Sequence, residues 1–173
     1  IDGFLNPKVS WQEALQRYFR TRAKDDYSWS RPNRRYPFYM PSLDSQKIGD
    51  VAIAIDCSGS ISTDVVRQFV AEIEDIRSSV KPPQVIVMPF DTRVRHPVVV
   101  GPDEPINFTV PHGGGTAFDD PVRVLDEMGI QPELLIYLTD LDSSVFPVEP
   151  MYPVLWVTTQ KTRAPFGEVI EMH

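Results

Sequence analysis

Apolar residues in this chain follow two rhythms. Short unbroken apolar runs alternate with longer stretches in which apolar positions recur every three or four residues. The run IGDVAIAID (48–56) is nearly continuous, as a strand covered on both faces should be. QVIVMPFD (84–91), ELLIYLTD (133–140) and PVLWVTT (153–159) read the same way. VRHPVVV (94–100) reads as an edge strand, because Pro97 cannot donate to a central ladder, and GEVIEM (167–172) as a sixth strand. SISTDVVRQFVAEIEDIRSSV (60–80) places Val66, Phe69, Val70, Ile73, Ile76 and Val80 on one helical stripe that Ser62 or Thr63 can cap. GGGTAFDDPVRVLDEMG (113–129) is a glycine-rich loop entering a second helix. Near the start, SWQEALQRYF (10–19) carries an S-x-x-E capping box from Ser10 and Glu13. The aperiodic, aromatic stretch 20–43 then reads as an arm that packs on the main body.

Strands alternating with helices predict an α/β fold. The expected form is a doubly wound, Rossmann-like, mostly parallel sheet with helices on both faces and one antiparallel edge strand. Residues 1–47 are read as an N-terminal helix and arm, and 48–173 as the α/β domain. At 42% hydrophobic and 24% charged, the 173 residues suit one soluble domain with a real core. No apolar run approaches the ~18 residues that span a bilayer, and the start lacks a signal-peptide pattern. The first residue is Ile1, so the chain is expected to be a piece of something longer. A single cysteine, Cys57, excludes an intrachain disulfide and fits a reducing, cytoplasmic setting.

Charge adds a division. Residues 1–47 hold nine Lys/Arg against five Asp/Glu, and 48–173 hold eight against nineteen, giving −7 for the chain. An acidic body binds phosphate backbones poorly and cations well.

Two of the buried strands end in aspartate, Asp56 and Asp140, and the glycine loop carries Thr116. In open α/β sheets, ligands bind beyond the carboxyl ends of strands where strand order reverses. Two carboxylates meeting there repel unless something positive lies between them. The donors on offer are all oxygens: Asp56, Ser58, Ser60, Thr116 and Asp140. Such hard ligands select Mg or Mn, with Ca less favoured, over Zn or Cu. Gly59 and the run Gly113, Gly114 and Gly115 are expected to supply the sharp bends that aim these hydroxyls.

IAIDCSGSIS, HGGGT and LIYLTD together resemble the von Willebrand factor A (VWA) domain with its metal-ion-dependent adhesion site, whose pattern is D-x-S-x-S, a later Thr and an Asp after a hydrophobic strand. The resemblance implies a metal held by Asp56, Ser58, Ser60, Thr116 and Asp140, and a partner protein whose Asp or Glu completes the coordination. YSWSRPNRRY and the C-terminal VLWV…PFGEVIEM are similar to a bacterial and phage group of VWA-like domains found C-terminal to a metallopeptidase-like domain. That resemblance implies a non-enzymatic segment whose partners include the upstream peptidase-like domain or an AAA+ ATPase. Ala117 stands where many relatives have an acid. Leu141 and Asp142 replace the usual glycine after the strand-end Asp, leaving Asp142 as a spare carboxylate. Asp119 and Asp120 suit the first turn of the second helix.

Rival readings are weaker. HGGG (112–115) matches a lipase oxyanion loop, yet no G-x-S-x-G elbow occurs, which argues against a hydrolase. Ser58 stands where a phosphotransferase needs a second acid. Cys57 reads as a small core residue, and His96 and His112 as strand-like and loop histidines. Arg17, Arg20, Arg22, Lys24, Arg31, Arg34 and Arg35, interleaved with Tyr18, Tyr27, Trp29 and Tyr36, could bind nucleic acid, but the same residues can pair within the chain.

Overall fold

The structure is a computed structural model that describes residues 49–111 and 113–171. The predicted helix at 10–19, the aromatic arm, His112 and the domain boundary at 47 lie outside the described residues.

Six strands form one sheet: β1 (Val51–Asp56), β2 (Val85–Phe90), β3 (Val98–Val100), β4 (Leu134–Thr139), β5 (Val154–Thr158) and β6 (Glu168–Glu171). Their order is β3-β2-β1-β4-β5-β6, with every pairing parallel except β2 with β3. This is the predicted doubly wound sheet with an antiparallel edge. From β1 the chain steps to β2 on one side, and β4 later enters on the other, so the strand order reverses between β1 and β4.

Each element expected within the described residues is present, most of them trimmed by one to three residues at one or both ends. The third strand is the largest difference. It shrinks to 98–100 because His96 adopts φ +48° and Pro97 follows it, so His96 sits in a turn and not in a strand. The early end of β3 also accommodates Pro89 inside β2. The pairing with β3 stops at Val87, and Pro89 turns its carbonyl to that side to accept from Arg95 N at 2.8 Å. The donor that proline lacks would have faced the same open side.

Helix α1 (Thr63–Val80) is capped by Ser62, whose Oγ accepts from Val65 N. It buries Val66, Phe69 and Ile73, and the latter two join Ile53, Ile55, Val87 and Ile136 in the core on one sheet face. The side chains of Ile76 and Val80 lie outside the described set. Helix α2 (Asp119–Glu127) covers the opposite face through Leu125. There, Tyr137 and Trp156 stack at 4.2 Å, and Phe118 meets Phe90, Tyr137 and Trp156 edge-on. Each such pair contributes ~0.5–1.5 kcal/mol beyond burial. The Tyr137 hydroxyl also donates to the Phe118 carbonyl at 2.6 Å. This aromatic cluster therefore anchors the start of α2 and the end of the loop that precedes it.

Candidate metal centre

Parallel register sets the geometry. Asp56 lies level with Phe90, and Ile55 with Leu138, so the segments after β1, β2 and β4 emerge together at one edge. Asp56, Asp91 and Asp140 all stand there, and all are buried.

Asp56 is held from both sides. Its Oδ1 accepts from Ser58 N at 2.9 Å, and its Oδ2 accepts from the Thr139 hydroxyl at 2.6 Å. Burial pushes its pKa up; Thr139 and Ser58 oppose this, and the nearby charge of Asp140 adds to it. The two strand-end carboxylates predicted from sequence thus stand at the same end of the sheet, near enough for the charge of Asp140 to act on Asp56. Asp140 accepts from Asp142 N through Oδ1 at 3.1 Å, while the Asp142 side chain is exposed.

The serines form the second part. Ser58 is buried, Ser60 is exposed, and their Oγ atoms stand 3.1 Å apart. In an octahedral Mg site with oxygens at roughly 2.0–2.1 Å, neighbouring oxygens are about 2.8–3.0 Å apart. The hydroxyls, here hydrogen-bonded to each other, are slightly wider than one edge of such a shell, and the all-oxygen donor set fits a hard cation. Among the described residues no group of three or more His, Cys, Asp or Glu side chains converges, so a cation here would depend on hydroxyls and water.

Thr116 belongs to a segment pinned at three points. Its carbonyl accepts from the Ser143 hydroxyl at 2.7 Å, Ala117 N donates to the Asp91 carbonyl at 3.0 Å, and Phe118 N donates to the Val145 carbonyl at 2.9 Å. The Thr116 hydroxyl itself is partly exposed and makes no hydrogen bond among the described residues.

Two contributors were not singled out from the sequence. Thr139 joins the two halves of the site, because its hydroxyl also accepts from Leu141 N at 3.0 Å. Asp91 is the other. Its Oδ1 accepts from Arg93 N at 2.9 Å and lies near Arg95, and its Oδ2 abuts Gly113. Burial raises its pKa, but the Arg93 amide, Arg95 and Thr92 prevail and hold it below the usual carboxylate value. The signal was present: QVIVMPFD ends in an acid as the other two strands do.

The chain turns at Gly59, between Ser58 and Ile61, and bends at Gly114, as expected. None of Gly59, Gly113, Gly114 and Gly115 uses positive φ. The constraint is steric and sits at Gly113, where a β-carbon would stand 1.9 Å from Asp91 Oδ2. The residue that does adopt left-handed backbone is Leu141, at φ +58°. Its side chain is buried in the aromatic-face core, which holds it in a conformation that favours glycine.

Cys57 is a core residue, buried with its thiol pushed up to about 12 by burial and by Asp56 and Asp91. Asp120 accepts from Val94 N and Arg123 Nε, so it ties α2 to the turn after β2. Asp119 is exposed in the first turn of α2.

A family model described as "VWA-like domain" matches residues 51–173. The chain belongs to the VWA-like family. Residues 1–44 match a second model, described as "Putative metallopeptidase domain". An uncharacterized protein of Thermotoga maritima is 36% identical over 73 residues, a match that covers 41% of this chain and 18% of that protein. The matched stretch is thus a small part of that relative's length. In this VWA-like domain, the position after the strand-end Asp140 is Leu141, which adopts positive φ. Among the described residues, no helix is long and apolar enough to cross a membrane.

Proposed function

We propose that the VWA-like domain is a metal-dependent protein-interaction module. Asp56, Ser58, Ser60, Thr116 and Asp140 would hold Mg or Mn, with Ca less favoured. The observation that carries this reading is the burial of Asp56 and Asp140 at one end of the sheet, with Asp56 destabilised by burial and, to a smaller extent, by the charge of Asp140, beside two serine hydroxyls 3.1 Å apart. Acids in that arrangement destabilise the fold while ionised, and a cation relieves the repulsion.

The chain's own residues divide the work. Thr139 and the Ser58 amide orient the Asp56 carboxylate. The contacts of Asp91, Ser143 and Val145 hold the Thr116 segment. Ser60, exposed to solvent, would be the ligand nearest an approaching partner. When bound, the ion supplies a hard Lewis-acid centre for an anionic oxygen, which we assign to an Asp or Glu side chain of a partner protein.

The match of residues 1–44 to a metallopeptidase-like model supports placing the domain at the C-terminal end of a larger metallopeptidase-like protein. The upstream domain or an AAA+ ATPase are the proposed partners, and the setting is cytoplasmic.

Electron paramagnetic resonance of Mn²⁺ with the full chain tests the reading. A Glu-bearing peptide should change the bound-Mn²⁺ spectrum and its Gln counterpart should not, with the change absent in Ser60→Ala. Peptide binding that persists unchanged in EDTA would contradict it.

A further inference from the structure

The chain between β4 and β5 contains no helix. It carries Val145, Val148 and Met151 at exposures of 46%, 91% and 100%. These are three of the most exposed large apolar side chains among the described residues, all within one short stretch. Pro147, Pro150 and Pro153 are interspersed with them, and each proline fixes its own φ. The apolar side chains are therefore displayed by a stiff strap, which lowers the ordering cost of a contact.

A groove of about 470 Å³ lies between this strap and α2. Val148, Met151 and Tyr152 give it an apolar side, and Asp119, Asp126 and Glu149 give it acids. Those three acids make no ion pair among the described residues. The cation that lines the groove, Arg123, is engaged by Asp120 and Glu127. The Tyr152 hydroxyl is buried without a hydrogen-bond partner among the described residues.

We propose that this groove docks a basic segment of a partner protein, one presenting a Lys or Arg beside a large apolar side chain. Charge decides between occupants. A second copy of the chain would bring the same acids face to face, which is unfavourable. Anionic lipid surfaces and nucleic acid carry the same sign of charge as the groove and are repelled. A cationic, partly apolar segment satisfies both sides. None of the five proposed metal ligands lines the groove, so this site stands apart from the metal centre.

Fluorescence anisotropy with the full chain is the test, using a labelled peptide of Arg-Leu-Ser repeats and a Glu-Leu-Ser counterpart. The Arg peptide should bind, weaken with salt, and lose roughly tenfold affinity in V148S/M151S and in D126N/E149Q, a change of about 1.4 kcal/mol. All four positions are exposed, so the variants should keep the wild-type unfolding midpoint. Ser60→Ala should bind the peptide as wild type does, separating this site from the metal centre. Equal binding by wild type and both double variants, or none by wild type, overturns the proposal. So does a dimer in sedimentation that V148S/M151S dissociates, since that assigns the face to a second copy.

Discussion

Thr139 and Asp56 are 83 residues apart, and the hydroxyl of one donates to the buried carboxylate of the other at 2.6 Å. The same hydroxyl accepts from Leu141 N, so one side chain joins the end of β1 to the turn after β4. Thr139→Val keeps the shape and removes both bonds. It should destabilise the domain by about 1–3 kcal/mol, as expected when buried polar groups lose their partners. Thr139→Ser should cost less. Urea unfolding midpoints measure both, and a valine variant as stable as wild type would refute the role assigned to this hydroxyl.

The contact between Gly113 and Asp91 predicts an unusual pairing of effects. Gly113→Ala places a β-carbon against the carboxylate and should cost about 1–3 kcal/mol, in the range of overpacked sites. Asp91→Ala clears that space but loses the bond from Arg93 N and the nearby Arg95 charge. The double variant should therefore be more stable than the two single losses added together. A thermodynamic cycle reads this coupling directly, and additive losses would mean that the two residues do not press on each other.

The two carboxylates at the ends of β1 and β2 are shifted in opposite directions, which gives opposite pH dependences. Burial raises Asp56, so the folded protein holds that proton more tightly than the unfolded chain. Its ionisation costs stability, and the metal-free domain should weaken as pH rises from the ordinary Asp value of about 3.9 through the raised one. Asp91 is lowered, so its contribution is complete above the ordinary value and is lost as pH falls through the folded one. Asp56→Asn should flatten the first slope and Asp91→Asn the second. Unfolding midpoints across acid to neutral pH in EDTA check both, and unchanged slopes would contradict the account.

The sheet was legible because its central strands are continuous apolar runs, three of them closed by an Asp, and α1 because its stripe and Ser62 cap agree. The placement of Asp56 and Asp140 at one end of the sheet was legible because both stand at strand ends, which periodicity locates well. Three things were less legible, each for a tertiary reason. His96 takes positive φ without a glycine to mark it, which shortens β3. Thr139 and Asp91 act through partners 83 residues away and across a glycine loop, contacts that only the parallel register creates. Gly113 answers to close packing against Asp91, which its neighbours in sequence do not reveal.

Calorimetric titration of Mg²⁺ and Mn²⁺ into the metal-free chain bears most directly on the metal centre. With two carboxylates and hydroxyl donors, wild type should bind one ion with a dissociation constant on the order of 10⁻⁴ to 10⁻³ M, the weak end for hard-cation oxygen sites. Asp56→Asn and Ser60→Ala should each abolish the heat of binding or weaken it at least roughly tenfold, about 1.4 kcal/mol. No uptake of either ion by wild type, or equal uptake by the variants, would contradict the assignment of a metal to this edge of the sheet.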